Sequence, residues 1–151
     1  VETAARAGAR VGSGLGNARL ADWTLLQSVK SVLQKMGLSN VDYVVVYKAT
    51  AADSSIPSGC SGSSPIAQTG KCNVYTGAQL STLTQADFTG TSSCGATAPD
   101  RFWCPTSRQK VLHLGPDYLG VWIKANSPTV TDLFGSPLHL QSAAVMRLEP
   151  A

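Results

Sequence analysis

Apolar residues recur at helical spacing in one part of this chain and at every second position in others, and the changes of period mark its elements. Leu26, Val29, Leu33 and Met36 follow one another at intervals of 3, 4 and 3, with Leu25 and Val32 widening the stripe. Lys30, Ser31, Gln34 and Lys35 fill the opposite side, so the pattern predicts an amphipathic helix over Trp23–Met36. Asp22 stands where an N-cap would, the two lysines suit the negative end of the helix dipole, and Gly37 supplies a left-handed stop. Val41–Ala49 (VDYVVVYKA) is rich in β-branched and aromatic residues and apolar on both faces, which predicts a central strand. Tyr118–Lys124 alternates, with Leu119, Val121 and Ile123 on one face. Leu138–Leu148 alternates again, with Leu138, Leu140, Ala144, Met146 and Leu148 inward and His139, Gln141 and Arg147 outward. Turns are expected at Asn126-Ser127-Pro128 and Gly135-Ser136-Pro137.

The ends of this pattern are less regular. Val1–Val11 is alanine-rich, with Arg6 and Arg10 four apart, and predicts a helix that reads as the tail of a longer one begun upstream. Gly12, Gly14 and Gly16 are expected to end it and form a flexible joint, because glycine is entropically costly inside a helix. Alanines bury little area, so this piece is expected to add about 1 kcal/mol or less to the domain. Residues 50–110 are mostly turn formers, with a short helix expected near Gln79–Phe88. The resulting expectation is one α+β domain over residues 1–151. Its second helix packs on a three-stranded antiparallel sheet, and a long excursion is inserted after the first strand.

Composition changes this picture mainly through the cysteines. Cys60, Cys72, Cys94 and Cys104 all lie in the Gly/Ser/Pro/Thr-rich excursion, with no Cys-x-x-Cys pair and no histidine beside them. That arrangement speaks for disulfides in an oxidising compartment and against a zinc site. Three pairings are possible. Nearest-neighbour pairing, Cys60–Cys72 with Cys94–Cys104, is the one expected, each closing a short loop worth on the order of 3 kcal/mol. Charged residues make up only 14% of the chain, and the net charge of +3 comes from scattered single Lys and Arg residues. Without a basic stripe interleaved with aromatics, nucleic acid is not an expected partner.

Catalytic chemistry finds no foothold in the pattern. His113 and His139 lie in strand-like segments with no Gly-x-Ser-x-Gly nucleophile, and the acidic residues are spread singly. Asp100 and Asp117 read as turn residues. Gly12-x-Gly14-x-Gly16 follows a helix and not a strand, so it is no dinucleotide loop. No enzyme activity, cofactor, metal or small-molecule substrate is expected. The one hint of binding is the pair Phe102 and Trp103 inside the second cysteine loop, which would serve as partner contacts if exposed and as a small loop core if not.

Two stretches carry a family resemblance. Ala4-Ala5-Arg6-Ala7-Gly8-Ala9-Arg10-Val11-Gly12-Ser13 is followed by Ala21-Asp22-Trp23-Thr24-Leu25-Leu26 and Val44-Val45-Val46-Tyr47. Gly115-Pro116-Asp117-Tyr118-Leu119-Gly120-Val121 then leads to Leu133-Phe134-Gly135 and Val145-Met146-Arg147-Leu148-Glu149-Pro150. In order and spacing they resemble the TadE-like family of tight-adherence pilus assembly, over about two thirds of the chain, with the cysteine-rich middle outside the match. The resemblance implies an N-terminal membrane span continuing into Val1–Val11, an extracytoplasmic domain at the cell envelope, and a non-catalytic role as a minor pseudopilin among other pilus subunits. The competing expectation is an exported, disulfide-stabilised binding module that recognises a surface ligand through its cysteine-rich loop.

Overall fold

The computed structural model describes residues 1–127, 135 and 137–150. Four strands form one antiparallel sheet: β1 (Val41–Ala49), β2 (Cys72–Thr76), β3 (Tyr118–Ser127) and β4 (Leu138–Arg147), in the order β2-β1-β3-β4. β1 is central, as its two apolar faces require, pairing Val44 with Tyr75 on one side and with Ile123 on the other. The expected sheet had three strands. The fourth, β2, is only five residues long and lies inside the turn-rich excursion, where Cys72, Asn73 and Thr76 mask its apolar alternation.

Each face of the sheet carries its own core. On one face α1 (Glu2–Leu15) and α2 (Ala21–Leu33) lie over Val44, Val46, Leu119, Val121 and Ile123. On the other, the excursion between β1 and β2 covers Val45, Tyr47 and Trp122, with the Cys60–Cys72 pair buried among them. The predicted stripe of α2 is the buried one: Leu25, Leu26, Val29 and Leu33 are inaccessible, with Val32 and Met36 at its margin. The helix tightens into a 3₁₀ turn over Gln34–Met36 and stops at Gly37, whose φ of 87° is the expected left-handed stop. The short helix expected near Gln79–Phe88 is α3 (Gly77–Thr82), opened by a capping box between Thr76 and Gln79, followed by a 3₁₀ turn at Gln85–Asp87.

The first helix departs most from expectation. It does not end at Gly12 but runs through Ser13 and Gly14 to Leu15 and stops at Gly16, φ 58°. Nor is it a loose appendage: Ala4, Ala5, Gly8, Ala9, Gly12 and Ser13 are buried against α2, β3 and β4. The small residues are what permit this closeness. A β-carbon on Gly8 would lie 2.6 Å from Val29 Cγ2, and one on Gly12 would lie 2.6 Å from Leu25 Cδ1 and 3.0 Å from Leu119. Alanine and glycine thus contribute through proximity what they lack in area, letting the larger side chains of the sheet and α2 fill the space around a narrow helix. The expected flexible joint is therefore packed helix up to Leu15, and α1 is expected to have a larger stake in stability than its small side chains suggested.

Successive turns of α1 sit over successive inward residues of β3, Gly12 near Leu119 and Gly8 near Val121. At that pitch α1 runs out before the start of β4, which explains why Leu138, expected inside, is 48% exposed. Asn126 and Ser127 extend β3 instead of turning, and the expected turns otherwise fall largely outside the described residues. Replacing Gly12 by Val is expected to destabilise the domain by about 1–3 kcal/mol through overpacking, and removing Val1–Val11 to unfold it. Urea denaturation measures both; a fully stable truncated chain would return α1 to the role of an appendage.

Candidate functional site

The residues singled out from sequence lie in two different environments. Cys60 pairs with Cys72 and Cys94 with Cys104, and no cysteine is free. Trp103 is not an exposed contact: it is 3% accessible and belongs to the main core, because the second disulfide loop folds inward across the sheet edge. Phe102, half-buried, lies beneath the Arg101 guanidinium at 4.3 Å, while its carbonyl accepts from Gly70 N–H. The partner-contact expectation therefore fails for Trp103. His113 is exposed in a 3₁₀ turn, and His139 Nδ1 on β4 lies 2.6 Å from Asn126 Oδ1.

What Trp103 does instead is help enclose a polar cluster that the sequence did not disclose. Asp22, expected as a helix cap, sits inside α2, whose N-cap is Leu20, and its carboxylate is fully buried. Oδ2 accepts from Asn73 Nδ2 at 2.9 Å and from Tyr75 Oη at 2.8 Å, and Oδ1 accepts from Arg108 Nη2 at 2.6 Å. β2 places Asn73 and Tyr75 on the helix-facing side two residues apart, so both reach the same carboxylate. Asn73 also grips the backbone of Trp103, donating to its carbonyl and accepting from its N–H. The Arg108 guanidinium stacks on the Trp103 ring at 4.2 Å; its Nε and Nη1 are buried without an acceptor among the described residues, a desolvation cost set against that stack. Burial, and then the Asp22 charge, hold the Tyr75 hydroxyl well above its usual range, so it remains a donor.

A second ion pair crosses the first. Arg19, in the turn between α1 and α2, donates to both carboxylate oxygens of Asp100 at 2.6 and 3.2 Å and through Nε to the Thr89 carbonyl. The helical corner thus supplies one base and one acid, Arg19 and Asp22, and the excursion answers with one acid and one base, Asp100 and Arg108. Asp100, read from sequence as a turn residue, is fully buried. Asp117 keeps its turn role, accepting from Gln109 N–H at 2.9 Å, and also pairs with Lys48 at 3.0 Å. No local signal separates a capping Asp from a buried one; only the chance that four of the chain's few charges meet in space makes this cluster.

The surface beside this clamp has two features. An open cleft of about 740 Å³ is lined by Arg19, Leu20, Ala86, Phe88, Thr89 and Gly90. A loop from Gln109 to Asp117, closed at its base by the Asp117 N–H bond to the Gln109 carbonyl, presents Val111, Leu112 and Leu114 to solvent at 42%, 61% and 61% exposure. No group of His, Cys, Asp and Glu suited to a metal ion occurs among the described residues, and none of their helices is long and apolar enough to cross a membrane. No protein-family model, curated protein or solved structure matches the chain.

Two measurements test the clamp. Asp22→Leu and Arg108→Met are each expected to cost about 3–5 kcal/mol by stranding a buried charge. The double variant is expected to cost clearly less than their sum in urea denaturation; simple additivity would show that the two do not act as a pair. For Asp100, burial raises the carboxyl above its ordinary 3.8, with the Arg19 hydrogen bond opposing. The folded chain then holds this proton more tightly than the unfolded chain. The Asp100 contribution is therefore largest below pH 3.8 and declines as pH rises through the raised folded value. The stability difference between the parent chain and Asp100→Asn should shrink over that window; a difference that grows with pH would mean that attraction to Arg19 outweighs burial.

Proposed function

We propose that this chain is the extracytoplasmic domain of a TadE-like minor pseudopilin, a non-catalytic structural component of a tight-adherence pilus, anchored through a membrane span that continues into α1. The observation that supports this best is the seating of α1. Its inner face is fixed to α2 and the sheet, while Glu2, Thr3, Arg6 and Arg10 remain exposed on its outer face. A helix held in this way transmits the position of whatever precedes it to the whole domain, as a filament subunit that packs through its helix requires. The exposed Glu2–Arg6 pair, at 2.6 Å, contributes only a few tenths of a kcal/mol to the helix itself, leaving those charges available to neighbouring subunits. The two disulfides are compatible with an extracytoplasmic location, where they would resist the loss of a loop-rich edge.

The competing function, an exported binding module, draws support from the cleft beside Arg19, most of whose wall comes from the excursion. One experiment separates the two. In the full-length parent, Arg6→Glu with Arg10→Glu should leave the isolated domain's melting temperature unchanged yet abolish co-purification with pilus subunits from membranes. Absence of an apolar stretch of about 20 residues upstream, or a parent that never co-purifies with pilus components, would sink the filament reading.

A further inference from the structure

We propose that two copies of this chain associate about a two-fold axis, each seating its Val111–Leu114 tip in the cleft beside Arg19 of the other. The tip is an unusual thing to leave in water: three large apolar side chains within four residues, on a turn that cannot fold back because Asp117 ties both ends of its loop to Gln109. Exposed apolar groups held on a closed loop lose little entropy on docking, which favours contact with a partner.

The cleft fits such a tip chemically. Its floor is Leu20 and Phe88, flanked by Ala86 and the backbone of Thr89 and Gly90. Its one charged side chain, Arg19, already binds the Asp100 carboxylate and the Thr89 carbonyl, so it does not call for an anionic ligand. At about 740 Å³ the cleft has room for leucine side chains. Charge agrees as well. Lys110 precedes the tip and has no ion-pair partner among the described residues, and Asp87, whose Oδ2 accepts from Thr84, stands exposed beside the cleft between its lining residues Ala86 and Phe88.

A second copy is the occupant because both features flank the same corner. Gly16, at the end of α1, lies against the Lys110 side chain, and Arg19 and Leu20 of the same turn line the cleft. Tip and cleft on one end of one molecule are what a self-complementary, two-fold contact needs: residue i meets residue j, and j meets i. The contact is small, at the low end of specific interfaces, so a reversible and concentration-dependent dimer is expected. This inference does not depend on the filament role.

Sedimentation velocity of the 151-residue chain from micromolar to millimolar concentration tests it. The parent chain should shift from monomer to dimer. Leu112→Asp with Leu114→Asp, which removes the tip, and Ala86→Trp, which fills the cleft, should each remain monomeric while melting within a few degrees of the parent. Mixing the two variants should give a hetero-dimer weaker than the parent's, because one of the two tip-in-cleft contacts survives: the tip of the cleft-filled copy in the cleft of the tip-less one. A parent chain monomeric at every concentration, or a dimer that both variants leave intact, would overturn the proposal.

Discussion

The excursion between β1 and β3 stays ordered because Asp22 and Arg108 meet in the core. Some 60 turn-forming residues cannot fold on their own apolar content, and a stretch of that length would ordinarily be a tail or a linker. Here one carboxylate on the first turn of α2 collects Asn73, Tyr75 and Arg108. The same contacts fix the position of β2 and bring Trp103 inward. A buried ion pair is weak evidence for net stability, since desolvation consumes much of its attraction. Its stronger effect is on specificity: Asp22 satisfied in this way admits few alternative positions for the loop. Arg19 and Asp100 repeat the arrangement with the charges exchanged, so that sliding the excursion along the helical corner would place like charges together.

The two disulfides and the two ion pairs divide the work differently. Cys60–Cys72 lies on the sheet face away from the helices, where it covers Tyr47 and Trp122, and it ends directly in β2. Cys94–Cys104 lies at the sheet edge and shortens the segment that carries Asp100 and Trp103. Neither covalent link reaches α1 or α2. The helical layer is joined to the excursion through packing, the crossed ion pairs and the hydrogen bonds that Asn73, Tyr75 and the Thr89 carbonyl add to them, so changes in pH or charge are expected to act at that junction.

Much of the architecture was legible because burial on one face leaves a period. The stripe of α2, the central position of β1, the inward Leu119, Val121 and Ile123 and the stop at Gly37 all follow from local rules. β2 was not legible, since its alternate positions carry Asn73 and Cys72, whose burial depends on partners far along the chain. The extent of α1 was misjudged for a related reason. Glycine was weighed by its entropy cost inside a helix, whereas Gly8 and Gly12 are there to admit Val29, Leu25 and Leu119. Asp22 looked like a surface cap, and Trp103 was left between a partner contact and a loop core, for the same cause: sequence shows a residue's own chemistry and its near neighbours, not the group that will cover it.

The chain's first helix is seated on its last strand. α1 packs on β3 and β4, and Glu149 N–H closes onto the Ser13 carbonyl at 3.1 Å. The seat of α1 is therefore complete only once β3 and β4 have followed it in the chain. α2 can cover one side of this narrow helix early, but its sheet side stays open until β3 and β4 arrive, and all four cysteines precede those strands. Topology thus separates two kinds of closure: covalent loops can form early, while the contact between α1 and the sheet must wait for strands more than a hundred residues away.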